Sequence, residues 1–306
     1  MSQHHLVRLA ALLTVLAQAL GICLAQDNSK PAPTFKDVAY GPHTRNVLDF
    51  WQAESAAPTP LVVYIHGGGF RGGNKESIPA DALRTLLAAR ISVAALHYRL
   101  VDQALLPAAH DDCRRALQFL RSKSAEWNLD KTRVGAFGGS AGAQLCMYLA
   151  FHDEMAQPDS LDPIARESTR LTCVATNGGQ TTMDVSWWKE HVPGYESPHR
   201  DFREAFGAET EAEYLEKAAE VSALSLITKD DPPIYMSYGM APDAPVPTDP
   251  ARARGWRVHH VAFGVELKKE MDALGIEAVL QYPGVRTAYD SNAEFFKARL
   301  LKQGVD

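Results

Sequence analysis

Short apolar runs and amphipathic stretches alternate along most of this chain. Phe35 to Tyr40 and Arg45 to Trp51 read as the two strands of an antiparallel edge hairpin. Leu61-Val62-Val63-Tyr64-Ile65 is apolar at every position, the pattern of a strand covered on both faces of a parallel sheet. Glu76 to Arg90 reads as a helix and Ile91 to Leu96 as the next buried strand. Ala108 to Trp127 predicts a long amphipathic helix, with Ala116, Leu117, Leu120 and Trp127 inside and Arg114, Arg121 and Lys123 outside. A strand over Thr132 to Phe137 and a helix over Ala141 to Phe151 follow. Leu171 to Asn177, Pro233 to Tyr238 and Ile276 to Tyr282 read as further strands; Arg257 to Leu274 and Ala288 to Leu301 read as helices. This alternation predicts an α/β fold: a mostly parallel central sheet with helices on both faces. Gly178 to Glu220 breaks the rhythm with a stretch rich in aromatic residues, Trp187 and Trp188 among them. An insertion of that kind between core strands suggests a small cap over a pocket, about 178–220. No repeat is visible, and the proline-rich segment Ala241 to Pro250 reads as a rigid loop within a single domain, 35–306.

Composition changes this picture little. The chain has 306 residues, 46% hydrophobic and 22% charged, as an ordinary globular protein does. Its formal net charge of −6 excludes a general nucleic-acid binder, which would show a basic face. The N-terminus adds more. Arg8 precedes the apolar run Leu9 to Leu24, and Cys23-Leu24-Ala25 places small residues at a cleavage site, so residues 1–25 read as a signal peptide and 26–34 as a flexible leader. The expectation is a secreted or periplasmic protein with no membrane span once the signal is cut. Lipid anchoring at Cys23 is disfavoured by the bulk of Ile22 before it. Cys113, Cys146 and Cys173 are odd in number and fit no metal spacing, and they read as buried apolar residues.

The candidate chemistry lies in Gly138-Gly139-Ser140-Ala141-Gly142, between a strand and a helix. A G-x-S-x-G segment in that setting is a nucleophile elbow, with its serine hydroxyl raised above the sheet. A serine attacks well only beside a base, and the oxyanion it creates needs waiting donors. His66-Gly67-Gly68-Gly69 after the buried strand is suited to that task, because glycines leave their N–H groups unshielded. Gly68, Gly69 and Ala141 are the expected oxyanion donors, a simple tight turn being the competing account of the glycines. The histidines and carboxylates show no zinc-ligand spacing, and the glycines lack the lysine of a phosphate loop, so neither metal nor cofactor is expected.

Together, His66-Gly67-Gly68-Gly69-Phe70, His97-Tyr98-Arg99-Leu100, Gly138 to Gly142 and Asp230-Asp231-Pro232-Pro233 resemble the α/β-hydrolases of the hormone-sensitive-lipase and carboxylesterase type. That group includes secreted bacterial esterases related to feruloyl and acetylxylan esterases. The resemblance spans most of residues 60–240. It implies an acid in the loop after Tyr238-Gly239, where Asp243 fits and Asp249 is the alternative. It also implies a histidine after the last strand, and none occurs beyond His260. Three readings of the base stay open: His260 or, second to it, His259, relocated to the rim; a cap histidine such as His191 or His199; or no base. Phe70, Trp187 and Trp188 are candidate substrate contacts, the two tryptophans reading equally well as the cap's own core. The implied function is a serine hydrolase of small carboxylic esters, acetylated-sugar or aromatic esters among them. The alternative is a hydrolase-fold binding protein without a base, as in the gibberellin receptors. Oligomeric state is not legible.

Overall fold

The computed structural model describes residues 29–301, and the fold considered below is that of the unit beginning at Pro31. The expected signal peptide, 1–25, lies outside the described residues, as does the first part of the leader.

Eight strands form one sheet: β1 (Phe35–Ala39), β2 (Val47–Trp51), β3 (Thr59–Ile65), β4 (Ser92–Leu96), β5 (Leu129–Gly139), β6 (Cys173–Asn177), β7 (Ile234–Ser237) and β8 (Ala278–Gln281). Their spatial order is β1-β2-β4-β3-β5-β6-β7-β8. The pairs β1–β2 and β2–β4 are antiparallel, and the other five pairs are parallel. This is the α/β-hydrolase architecture. β3 is buried at every position because its alternate side chains serve two cores. Leu61, Val63 and Ile65 face the helices Ala108–Ser122, Ala141–Phe151 and Ala262–Leu274. Val62 and Tyr64 face the helices Ala80–Ala88 and Asn292–Leu300, where Phe295 and Phe296 are fully buried.

The parallel register decides where chemistry can sit. Ile65 lies opposite Gly138, Gly139 opposite Asn177, Asn177 opposite Ser237, and Ser237 opposite Gln281. The carboxyl ends of five strands therefore open along one edge, the place where open α/β sheets bind ligands.

Two departures from the expected elements matter. The helix expected over Arg257 to Leu274 is two helices, Pro250–Val258 and Ala262–Leu274, separated at His259 to Val261. The first begins inside the supposed rigid loop. Asp249 caps it by accepting from the Arg252 N–H at 2.8 Å, and Pro250 occupies its first turn, where no N–H is needed. The stretch expected as a cap carries helices Val185–His191, Phe202–Phe206 and Glu211–Ala219, capped by Asp184, Asp201 and Thr210. Cys113, Cys146 and Cys173 are buried free thiols.

The segment after the glycine loop is tied down by charge. Lys75 is fully buried, and its ammonium lies 2.8 Å from Asp37, 2.9 Å from Asp49 and 2.7 Å from Glu76. Its own N–H donates to His97 Nδ1 at 3.3 Å. These bonds raise the lysine's pKa against the pull of burial. Removing one partner of such a group strands a buried charge, at a cost of about 3–5 kcal/mol. Lys75→Met is expected to destabilise the fold by about 3 kcal/mol in urea denaturation, because Asp49, 3% exposed, loses its counter-charge. The double substitution with Asp49→Leu is expected to recover part of that loss; equal stability of wild type and Lys75→Met would show the ion cluster to be without consequence.

Candidate active site

Ser140 stands at the junction of β5 and the helix Ala141–Phe151, with φ 54° and ψ −123°. A non-glycine residue holds such a backbone only under compulsion from its surroundings. The compulsion here is close packing. A Cβ on Gly142 would lie 2.1 Å from the Ile65 carbonyl oxygen, and one on Gly138 would lie 2.5 Å from the same atom. The Ser140 N–H donates to the Asn177 carbonyl at 2.9 Å, and the Ser140 carbonyl accepts from the Gln144 N–H at 3.0 Å. The turn is held from both sides, and the hydroxyl projects beyond the sheet edge.

The glycine loop after β3 is equally constrained. Gly68 and Gly69 have φ of 113° and 62°, conformations that side-chain-bearing residues avoid. The peptides that carry their N–H groups are fixed through their carbonyls. The Gly67 oxygen accepts from His66 Nδ1 at 2.7 Å, and the Gly68 oxygen accepts from the Arg71 N–H at 3.1 Å. That bond places the proton of His66 on Nδ1, leaving Nε2 to accept from Arg45 at 3.3 Å. The ring stacks on Tyr98 at 4.3 Å between centroids, and burial pushes its pKa down to about 4. His66 is thus a neutral brace of the loop. Among the described residues the N–H groups of Gly68, Gly69 and Ala141 have no hydrogen-bond partner, so all three are open to a ligand.

The histidine beside Ser140 is His259. Its Nε2 lies 2.9 Å from Ser140 Oγ. Its Nδ1 lies 2.8 Å from the Gly255 carbonyl oxygen, which can only accept. The tautomer is thereby set: Nδ1 carries the proton, and Nε2 is the nitrogen left to accept from the Ser140 hydroxyl. His259 caps the C-terminus of helix Pro250–Val258, and Gly255 sits one turn back. Gly178, with φ 54°, lets the ring approach: a Cβ there would stand 3.2 Å from that of His259. The buried Gln180 amide donates to the Val258 carbonyl at 2.6 Å and to the Gly178 carbonyl at 3.1 Å, pinning the helix end to the sheet.

Three expectations are corrected by this arrangement. His260 is not beside Ser140: it is 2% exposed, packs on Trp256, accepts the Ala262 N–H on Nδ1 at 3.1 Å and has an unpartnered Nε2. His260 follows the cap residue of the helix, and its ring turns onto Trp256 instead of the serine. Asp243 does not orient the base. It is exposed, without hydrogen bond or ion pair among the described residues, and His259 Nδ1 is already committed to Gly255. Asp249, the alternative, is spent as a helix cap. Phe70, Trp187 and Trp188 do not line the cavity over Ser140, which has a volume of about 780 Å³. Phe70 is buried against Tyr98 and His110. Trp188 is 2% exposed and donates to the Thr182 carbonyl at 2.8 Å, and Trp187 stacks between His191 and Phe263. The two tryptophans belong to the core of the insertion. The cavity is instead walled by the glycine loop, His199 and Arg200 from the insertion, and Arg254, Val258 and His259 from the helix. Of the cap histidines, His191 is exposed with Nδ1 on the Trp187 carbonyl, and His199 bonds Tyr195 and Arg200; neither meets Ser140. Among the described residues no group of His, Cys, Asp or Glu could hold a metal ion, and no helix is long and apolar enough to cross a membrane.

The BD-FAE family model matches residues 48–253, two thirds of the chain. The chain belongs to the BD-FAE family. The match contains the glycine loop and Ser140 and ends before His259. Carboxylesterase NlhH of Mycobacterium tuberculosis is 31% identical over 101 residues, 33% of this chain and 32% of that protein. Tuliposide A-converting enzyme 2 of Tulipa gesneriana is 32% identical over 138 residues, 39% of this chain and 35% of that protein. The chain thus matches about a third of the length of these relatives. Among solved structures, a truncated carbohydrate esterase from gut microbiota superposes with a TM-score of 0.67 at 20% identity, covering 89% of this chain and 98% of that one. The Thermogutta terrifontis esterase Est2 gives 0.58 at 18% identity, covering 89% and 90%. These likenesses show the fold.

Burial lowers the pKa of His259 from its ordinary 6.5, the Gly255 bond opposing the shift, and no carboxylate lies beside the ring to raise it. The imidazole thus holds a second proton less readily than a free one does. The acid limb of kcat/KM for an ester is expected below pH 6.5, since that profile reports the free enzyme. An acid limb at or above about pH 7 would mean that a carboxylate reaches the histidine after all.

Proposed function

We propose that this BD-FAE chain hydrolyses carboxylic esters through an acyl-enzyme on Ser140. The observation that carries the reading is the contact between His259 Nε2 and Ser140 Oγ at 2.9 Å, with the opposite ring nitrogen fixed on a carbonyl. In the first half-reaction Ser140 Oγ bonds to the ester carbon as its proton passes to His259 Nε2. Gly68, Gly69 and Ala141 donate to the oxygen that becomes negative. The C–O bond to the alcohol then breaks, and His259 returns the proton to the departing oxygen. In the second, water gives a proton to His259 as it attacks the acyl carbon, and Ser140 leaves with that proton.

A triad carboxylate has two duties: it selects the tautomer of the histidine and stabilises the imidazolium. The Gly255 carbonyl performs the first. The negative end of helix Pro250–Val258, on which His259 sits, supplies part of the second. The relative named as a carboxylesterase supports a carboxylic ester as the substrate class. A binding protein with this fold was the alternative while no base could be named; a histidine set for proton transfer supports hydrolysis instead.

Purified protein is expected to react with a fluorophosphonate probe and to turn over 4-nitrophenyl acetate, Ser140→Ala doing neither. His259→Gln is expected to lower kcat roughly 10²–10⁴-fold, and His260→Gln less than tenfold when circular dichroism shows the fold intact. Equal losses in the two histidine variants, or equal labelling of wild type and Ser140→Ala, would refute the assignment. Export is proposed on residues 1–25 alone. N-terminal sequencing of protein recovered outside the cytoplasm is expected to begin at Gln26, and an intact Met1 there would count against cleavage.

A further inference from the structure

The cavity over Ser140 is walled by Arg71, Arg200 and Arg254 against a single carboxylate, Asp201. In a chain of net charge −6 this is a local reversal of sign. The carboxylate is occupied: Asp201 accepts the N–H groups of Arg203 and Glu204 at 2.9 and 3.3 Å and lies 3.8 Å from the Arg203 guanidinium. Arg71 stands 3.8 Å from Glu204, but both are more than half exposed, and such a pair contributes little. Arg254 has no hydrogen bond or ion pair among the described residues. Beside it, in an adjoining hollow that Glu196 also lines, the Nε of Arg257 is buried without a partner.

Arg200 is held in place. The Tyr195 hydroxyl meets His199 Nδ1 at 3.0 Å, His199 Nε2 accepts from Arg200 Nε at 3.0 Å, and Arg200 Nη1 donates to the Gly69 carbonyl. A Cβ on Gly69 would fall 2.6 Å from Arg200 Nη2, so the guanidinium is packed directly on the oxyanion loop. Burial and the charges of Arg71 and Arg254 lower the pKa of Arg200, as expected of cations gathered with little to offset them. A concave wall of that sign concentrates anions, and guanidinium forks match carboxylate oxygens two at a time.

We propose that the site selects esters bearing a carboxylate near the scissile bond, seated between Arg200 and Arg254. The inference rests on the ester-hydrolase reading and narrows it to acidic substrates. The negative group lies either in the acyl part or in the alcohol part, and each has a substrate pair that isolates it: 4-nitrophenyl hemisuccinate against 4-nitrophenyl butyrate, and acetylsalicylate against phenyl acetate. In at least one pair kcat/KM is expected to be about tenfold or more higher for the charged ester. Arg254→Ala is expected to cut that ratio about tenfold, mainly through KM, and Arg254→Lys to keep part of it. The ratio is also expected to shrink as NaCl rises from about 0.05 to about 0.5 M. Preference for the neutral ester in both pairs, or a ratio unmoved by Arg254→Ala, overturns the proposal. Calorimetry separates the two levels of inference. Monomethyl succinate or acetylsalicylate binding to Ser140→Ala, and lost in the double variant with Arg254→Ala, upholds anion recognition even if no ester is turned over. Absence of turnover then counts against hydrolysis alone, and absence of binding by both anions counts against the cationic site.

Discussion

Three backbones meet beneath Ser140 with no room for a side-chain atom between them. A Cβ on Gly142 or Gly138 would fall 2.1 or 2.5 Å from the Ile65 carbonyl oxygen at the end of β3, and one on Gly67 would fall 2.7 Å from the Gly139 carbonyl oxygen. Everything else in the site takes its position from that contact. It holds the dihedral angles of Ser140, aims the hydroxyl past the sheet edge and brings the glycine loop against the elbow. The cost is a strained residue and several entropically expensive glycines. The sheet meets that cost with β3, whose buried side chains anchor both cores.

The histidine proposed as base reaches this centre by another route. The resemblance implied a histidine in a loop after the last strand, oriented by a carboxylate in the loop before it. Here a helix end does both jobs, since His259 and the carbonyl that orients it belong to the same turn. The His259 backbone N–H also donates to the Gly255 carbonyl, at 3.1 Å, the i to i−4 bond of the helix itself. Helix formation therefore does the work that elsewhere requires a separate loop, and Gln180 fixes the helix end against β6 from outside.

Much of the architecture was legible because its signals are local. Continuous apolar runs marked the central strands, and the helix Ala141–Phe151 was bounded as expected by the elbow before it. The break at His259 was not legible. Val258 and Val261 continue the apolar spacing of the following helix, so the periodicity ran across the gap. The signal that could have found it was Asp249-Pro250, a cap and first-turn pair that starts a helix eight residues ahead of Val258. With that start in place, Gly255 and His259 fall one turn apart. The choice between His259 and His260 depended on a single residue of helical phase, which no composition argument resolves. The tryptophans misled for a different reason: a large aromatic side chain in an insertion is as useful for its core as for a ligand. The cationic wall joins residues that only the tertiary fold brings together, Arg200 meeting Gly69 across 131 positions of sequence.

The nine-residue helix Pro250–Val258 presents Arg254 to the cavity within its length and carries His259 at its tip. The two side chains are rigidly geared. Any tilt or slide that re-aims the guanidinium also shifts the imidazole relative to Ser140, while Gln180 and Gly178 resist the movement from the sheet side. If hydrolysis runs as proposed, what the pocket admits and how well the imidazole meets Ser140 are therefore coupled. Substituting side chains on a stationary helix leaves the contact between His259 and Ser140 in place, whereas re-angling the helix does not.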